Sequence, residues 1–147
     1  MDFCVAVPSN GPQLFETEYL FWAEAKKGFK SSLEESFVQL IITIGKARTF
    51  EQHLPPRFLG AFDAEKIAFI PYNDVLDIFH QNDFNWKVTP SDHTTKEFAL
   101  ILEKVTDILS RQMLTFNYTR DRKELEKFIK RNFIVGKAQL SLSLIHI

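Results

Sequence analysis

Cysteine is nearly absent from this chain. Cys4 stands alone, which excludes an internal disulfide and any multi-cysteine zinc site. The four histidines (His53, His80, His93 and His146) are scattered, with no HxxxH spacing to suggest metal ligation. Long apolar runs are missing too. The longest, Phe37 to Ile44, is interrupted by Gln39 and Thr43, and a membrane span needs about 20 apolar residues. Neither sign of charge dominates: 18 Lys and Arg face 19 Asp and Glu, for a net charge of −1. That excludes a globally basic nucleic-acid coat and leaves room for a local basic patch. No charged-then-apolar leader opens the sequence, and it holds no internal repeat or low-complexity stretch. The expectation from these absences is a soluble, cytoplasmic protein that engages no membrane.

What is present is apolar and aromatic. Hydrophobic residues make up 45% of the 147, aromatics 14%, and phenylalanine alone accounts for 15. Such a chain can bury a core, which argues against disorder, and its length suits one domain or a piece of something larger. The two ends favour the piece. Residues 2–7 read as a strand with nothing before it to cover it. The last six residues, Leu142-Ser143-Leu144-Ile145-His146-Ile147, resemble the translation of a transposon-end adapter from sequencing libraries. The alternative is a genuine C-terminal strand. The expectation is a fragment, with one sheet face left uncovered.

Periodicity places the elements. Residues 2–8 alternate around β-formers and stop at the turn cluster Pro8-Ser9-Asn10-Gly11-Pro12. Residues 18–26 form a second, aromatic strand, which most simply pairs antiparallel with the first. Ser31 or Ser32 is a helix cap, and the helix runs to about Arg48 with Leu33, Phe37, Leu40, Ile41 and Ile44 on one face. Val38 and Ile42 widen that face, so the helix should be buried on most sides. After Pro55-Pro56, residues 58–61 and 66–70 are short strands around a turn at Asp63-Ala64-Glu65. From Pro71 the pattern becomes helical: a short helix capped by Asn73, a longer one starting at Ser91 or Asp92, and a last one over about 120–132. The fold class expected is α/β in the α+β sense, a small mixed sheet with a buried helix. It divides into a core at 1–71, a helical extension or linker at 72–141, and adapter read-through at 142–147.

The chemistry sits in the second strand. Glu24 and Lys26 are two residues apart and therefore share a strand face. A carboxylate beside a lysine suits metal-assisted phosphodiester hydrolysis, because oxygen ligands match hard Mg²⁺ and the cation offsets phosphate charge. A second carboxylate is required, and Asp2 is available, since the start of the first strand lies beside the end of its antiparallel partner. On the following helix Glu35, Gln39, Ile42 and Lys46, with Thr43 beside them, form a mostly polar stripe; Gln39 and Lys46 could face the carboxylates or a DNA phosphate.

Asp2, then Glu24-Ala25-Lys26, then a Gln39-bearing helix is similar to the PD-(D/E)xK nuclease superfamily. More narrowly it resembles the nuclease segment at the front of fused restriction-modification polypeptides, where a strand ending in Glu-x-Lys-Lys precedes a Gln-bearing helix. There a stretch like Phe58-Leu59-Gly60-Ala61-Phe62-Asp63 leads into another strand. The resemblance covers about residues 1–71 well and the remainder loosely. It implies a restriction-endonuclease-like core lacking its first helix, Mg²⁺ as cofactor and double-stranded DNA as partner. Asp2 and Glu24 would hold metal, and Lys26 and Gln39 would complete the catalytic set. It also implies an N6-adenine methyltransferase, using S-adenosylmethionine, and specificity domains further along a longer chain; the fragment alone would be inactive. The usual Pro before the aspartate is replaced by Met1.

Each reading has a plainer rival. Glu24 and Lys26 also read as a solvated cross-strand pair, Gln39 as a core amide satisfied by backbone, and Asp63 and Glu65 as turn residues. The stretch from Arg120 to Lys137 carries seven cations and three acids. Arg120, Lys127 and Arg131 could track phosphates, or the helix could simply present a solvated face of i, i+4 pairs. The rival to a nuclease is a non-catalytic DNA-binding or scaffolding module.

Overall fold

The structure is a computed structural model that describes residues 3–8, 17–25, 32–52, 55–111, 114–135 and 138–139. Strands β1 (Phe3–Pro8) and β2 (Thr17–Ala25) pair antiparallel, with Phe3 opposite Ala23 and a bulge between Val5 and Ala6. Helix α1 (Leu33–Ala47) then crosses over, so that β3 (Phe58–Phe62) returns parallel to β2. Parallel neighbours need such a crossover, and the helix supplies it. A turn leads into β4 (Lys66–Pro71), antiparallel to β3, and Asp63 Oδ1 holds that turn by accepting from the backbone N–H groups of Glu65 and Lys66 at 2.8 and 2.9 Å. Strand β5 (Thr115–Asn117) completes a mixed sheet in the order β1-β2-β3-β4-β5.

Around the sheet lie α2 (Thr49–Gln52), a 3₁₀ turn (Tyr72–Asp74), α3 (Leu76–Phe79), α4 (Lys96–Arg111) and α5 (Arg122–Asn132). A two-strand ribbon of β6 (Ile134–Val135) and β7 (Ala138–Gln139) follows. The class is α+β, as expected, with α1 buried along most of its length. None of the helices among the described residues is long and apolar enough to cross a membrane.

Local chemistry explains the ends of α1. Ser32 Oγ accepts from the Glu35 N–H at 3.2 Å while Glu35 Oε1 accepts from the Ser32 N–H at 2.9 Å, a reciprocal capping box. The helix stops at Arg48, which adopts the left-handed conformation (φ 54°) and donates its N–H to the Gly45 carbonyl. The longer helix begins later than expected. Asp92 folds back to accept from Thr94, and Thr95 is the cap, its hydroxyl accepting from the Phe98 N–H at 3.1 Å.

The end of β2 and strands β3 and β4 are covered on both sides. On one face Trp22, Leu59, Ala61, Ala68 and Ile70 pack beneath α1 and α4. On the other Ala23, Phe62, Ile67 and Phe69 pack beneath α5. The bare face expected at the first strand falls on side chains that lie outside the described residues. Elements after Pro71 pack on the sheet: α4 lies against α1, α5 covers the other face, and β5 joins β4. Residues 142–147 lie outside the described residues.

Candidate functional site

Strand alternation decides where Glu24 points. Trp22 belongs to the α1 face and Ala23 to the α5 face, so Glu24 projects beneath α1 and Ala25 turns back toward α5. Its backbone partner across the parallel pair is Ala61, whose methyl leaves room on that face. Glu24 is 6% exposed, and with Ser36 and Glu97 it forms the buried polar set of the described residues. Burying a carboxylate in this way is costly unless the charge is compensated, so Glu24 is the most demanding side chain of the sheet. The pairing of Phe3 with Ala23 brings the start of β1 beside the end of β2 that carries Glu24. Asp2 and Lys26 themselves lie outside the described residues.

Gln39 does something the sequence did not suggest. Its side-chain amide lies 3.1 Å from His93 Nε2, and His93 Nδ1 is 2.7 Å from Glu35 Oε2. Glu35 thus accepts from His93 Nδ1, and the Gln39 amide meets the other ring nitrogen. The ring also stacks on Phe98, with centroids 4.3 Å apart. This cluster ties the first half of α1 to the start of α4. The backbone N–H of Ser32, aided by His93, holds the Glu35 carboxyl below its ordinary value. The polar stripe on α1 therefore does not act as one set: Glu35 and Gln39 engage His93, Ile42 is fully buried, and Lys46 is exposed. His93 lies 54 residues from Gln39, and no local sequence signal joins them.

The basic stretch is partly neutralised. Arg120 sits 3.3 Å from Asp121, and Arg122 is 3.4 Å from Glu126, an i, i+4 pair of the kind expected of a solvated face. Asp121 also accepts from the Asn117 N–H at 2.9 Å, which holds its carboxyl below the ordinary range with help from Arg120. Lys127 and Arg131, one helical turn apart and both exposed, border a hollow of about 320 Å³ floored by Phe116 and Phe128.

No three His, Cys, Asp or Glu side chains among the described residues come together as a metal-holding group. Mg²⁺ does not demand one. It usually keeps several waters and takes one or two carboxylates plus substrate phosphate, so Glu24 with one further carboxylate suits it. Set against protein-family models, curated proteins and solved structures, the chain matches none.

Proposed function

We propose that this chain is the core of a Mg²⁺-dependent DNA endonuclease from a cytoplasmic restriction-modification polypeptide, one that hydrolyses phosphodiester bonds in double-stranded DNA. The observation that carries the reading is Glu24: a buried carboxylate at the end of β2, beside the start of β1, on a strand followed by a crossover helix and a parallel strand. That order of elements agrees with the family resemblance of residues 1–71. Glu24 and Asp2 would hold the cation, which when bound supplies positive charge against the phosphate. Lys26 would offset charge developing on the phosphate oxygens. Lys46, Lys127 and Arg131 would position the duplex through its backbone. The methyltransferase and specificity functions belong to other parts of the longer chain.

A second reading has its own support. Gln39 is committed to His93 rather than to the carboxylate, as a module that binds DNA or scaffolds without cutting would allow. Plasmid nicking by the parent polypeptide, with Mg²⁺ and with EDTA, separates the two. The nuclease reading expects Glu24→Gln and Lys26→Ala each to lower cleavage at least about hundredfold, with Mg²⁺ binding weakened by the first alone. Undiminished cleavage by both variants would end it. Binding without any cleavage by the parent would promote the second reading.

A further inference from the structure

Strand β5 is the outer edge of the sheet, and α5 packs against it. Between the two lies the hollow of about 320 Å³ bordered by Lys127 and Arg131. That volume stands near the foot of the roughly 300–1,000 Å³ range of small-molecule clefts. Its α5 wall is a single stripe, in which Asp121, Glu124, Phe128 and Arg131 recur at helical spacing. The floor is apolar. Phe128 packs inward on Phe69, with centroids 4.6 Å apart, and on Phe116 at 5.3 Å. It is nevertheless only partly buried, and its uncovered surface lines the hollow. The methylene stems of Lys127 and Arg131 add to that apolar surface while their charged heads stay in water.

Both cations are uncommitted: Lys127 and Arg131 make no ion pair or side-chain hydrogen bond among the described residues. Of the two acids beside them, Asp121 is engaged, accepting from the Asn117 N–H and lying 3.3 Å from Arg120. Glu124 is exposed and pairs with neither cation, so two free positive charges face one free negative charge. The sheet edge here is shut. Asp121 takes the Asn117 N–H on its carboxylate and donates its own N–H to the Asn117 carbonyl, each at 2.9 Å. An added strand finds no backbone partner at that residue. An apolar floor, two unpaired cations and a blocked edge fit a small molecule and not a peptide strand. We infer that this hollow binds a small organic anion, its one-ring or short alkyl body on Phe128 and its carboxylate or phosphate head between Lys127 and Arg131. The inference stands apart from the nuclease reading; where both hold, ligand and DNA backbone compete for the same two cations.

Amide resonances of the isotope-labelled full chain should be followed during titration with phenylbutyrate, octanoate, phenyl phosphate, phenylbutanol and inorganic phosphate. At least one of the three amphipathic anions should shift the resonances of β5 and α5 ahead of all others. Tighter binding of phenyl phosphate than of the two carboxylates identifies a phosphate head, and the reverse order a carboxylate. Phenylbutanol lacks the charge and inorganic phosphate lacks the body, so each should bind at least about tenfold more weakly than the best anion. Lys127→Met/Arg131→Met keeps the stems, removes the charge and should weaken binding about ten- to hundredfold. Glu124→Gln removes the opposing charge and should tighten binding about two- to fivefold. All three positions are exposed, so these variants should keep their far-ultraviolet circular dichroism. Shifts centred elsewhere, no binding by any of the three anions, equal binding of phenylbutanol, or unaltered affinity in the double variant would overturn the assignment.

Discussion

The two faces of the sheet are packed from different materials. Beneath α1 and α4 the core is largely aliphatic, built from Leu40, Ile41, Ile44, Leu59, Ile70, Val105 and Ile108 around Trp22. Beneath α5 it is a knot of phenylalanines: Phe69 lies within 4.6–6.2 Å, centroid to centroid, of Phe58, Phe116, Phe128 and Phe133. The buried polar groups follow the same division. Glu24 projects toward the α1 side, and Ser36 and Glu97 sit on α1 and α4 themselves; the phenylalanine cluster holds no buried charge among the described residues. Fifteen phenylalanines thus serve in part to make one face self-sufficient, which leaves the other to carry polar chemistry.

That division can be broken most severely at Phe69. Phe69→Ala removes the ring at the centre of the phenylalanine knot and should cost about 3–5 kcal/mol in urea denaturation. Whatever activity the protein has per folded molecule should be unchanged, because Phe69 is on the face away from Glu24. A large loss of activity at full folding would show that the faces are coupled.

Gly45→Ala tests the aliphatic side with a reversed sign. In an exposed helix interior the change stabilises by up to about 1 kcal/mol. Here the new methyl meets the Trp86 indole, so a net destabilisation of about 1–3 kcal/mol is expected, with a shift in tryptophan emission. A gain in stability would mean that Trp86 moves aside freely.

The smallest of the three concerns the α1 cap. Ser32→Ala should cost about 1 kcal/mol. It should leave most of the acid-side loss of stability in place, because the backbone N–H of residue 32, the main reason the Glu35 carboxyl is held below its ordinary value of 4.5, survives the substitution. A folded-state value below the unfolded one gives a contribution that is complete above 4.5 and disappears as pH falls through the lowered value. Thermal melts between pH 6 and 3 check this: both proteins should lose stability on acidification, with the gap between them nearly constant.

Much of this architecture could be read in the residues. The apolar spacing of α1, a serine cap at Ser31 or Ser32, and the Asp63 turn are local signals, and all three form; that Glu35 closes the cap was not read. Strand β5 was missed because three residues carry too little alternation to register, and its place beside β4 depends on pairing alone. The helix-start signal at Asp92 was real hydrogen-bonding capacity used for a turn instead. At the candidate site the spacing of Glu24 to Lys26 drew attention to Glu24 but did not foretell its burial, and Lys26 lies outside the described residues. The partner of Gln39 was not, since His93 reaches it only through the packing of α4 on α1.

The central hairpin has a consequence for handling the protein. Phe58–Phe62 and Lys66–Pro71 are apolar over almost their whole length because they are covered on both sides. Arg57, Asp63, Lys66 and Pro71 are the flanking residues that discourage self-pairing. Once heat strips away the helices and the flanking strands β2 and β5, two adjacent ribbons rich in Phe and Ile stand ready to add further copies along their length. Thermal unfolding should therefore end in association faster than in refolding, so that an apparent melting temperature rises with scan rate and falls with protein concentration.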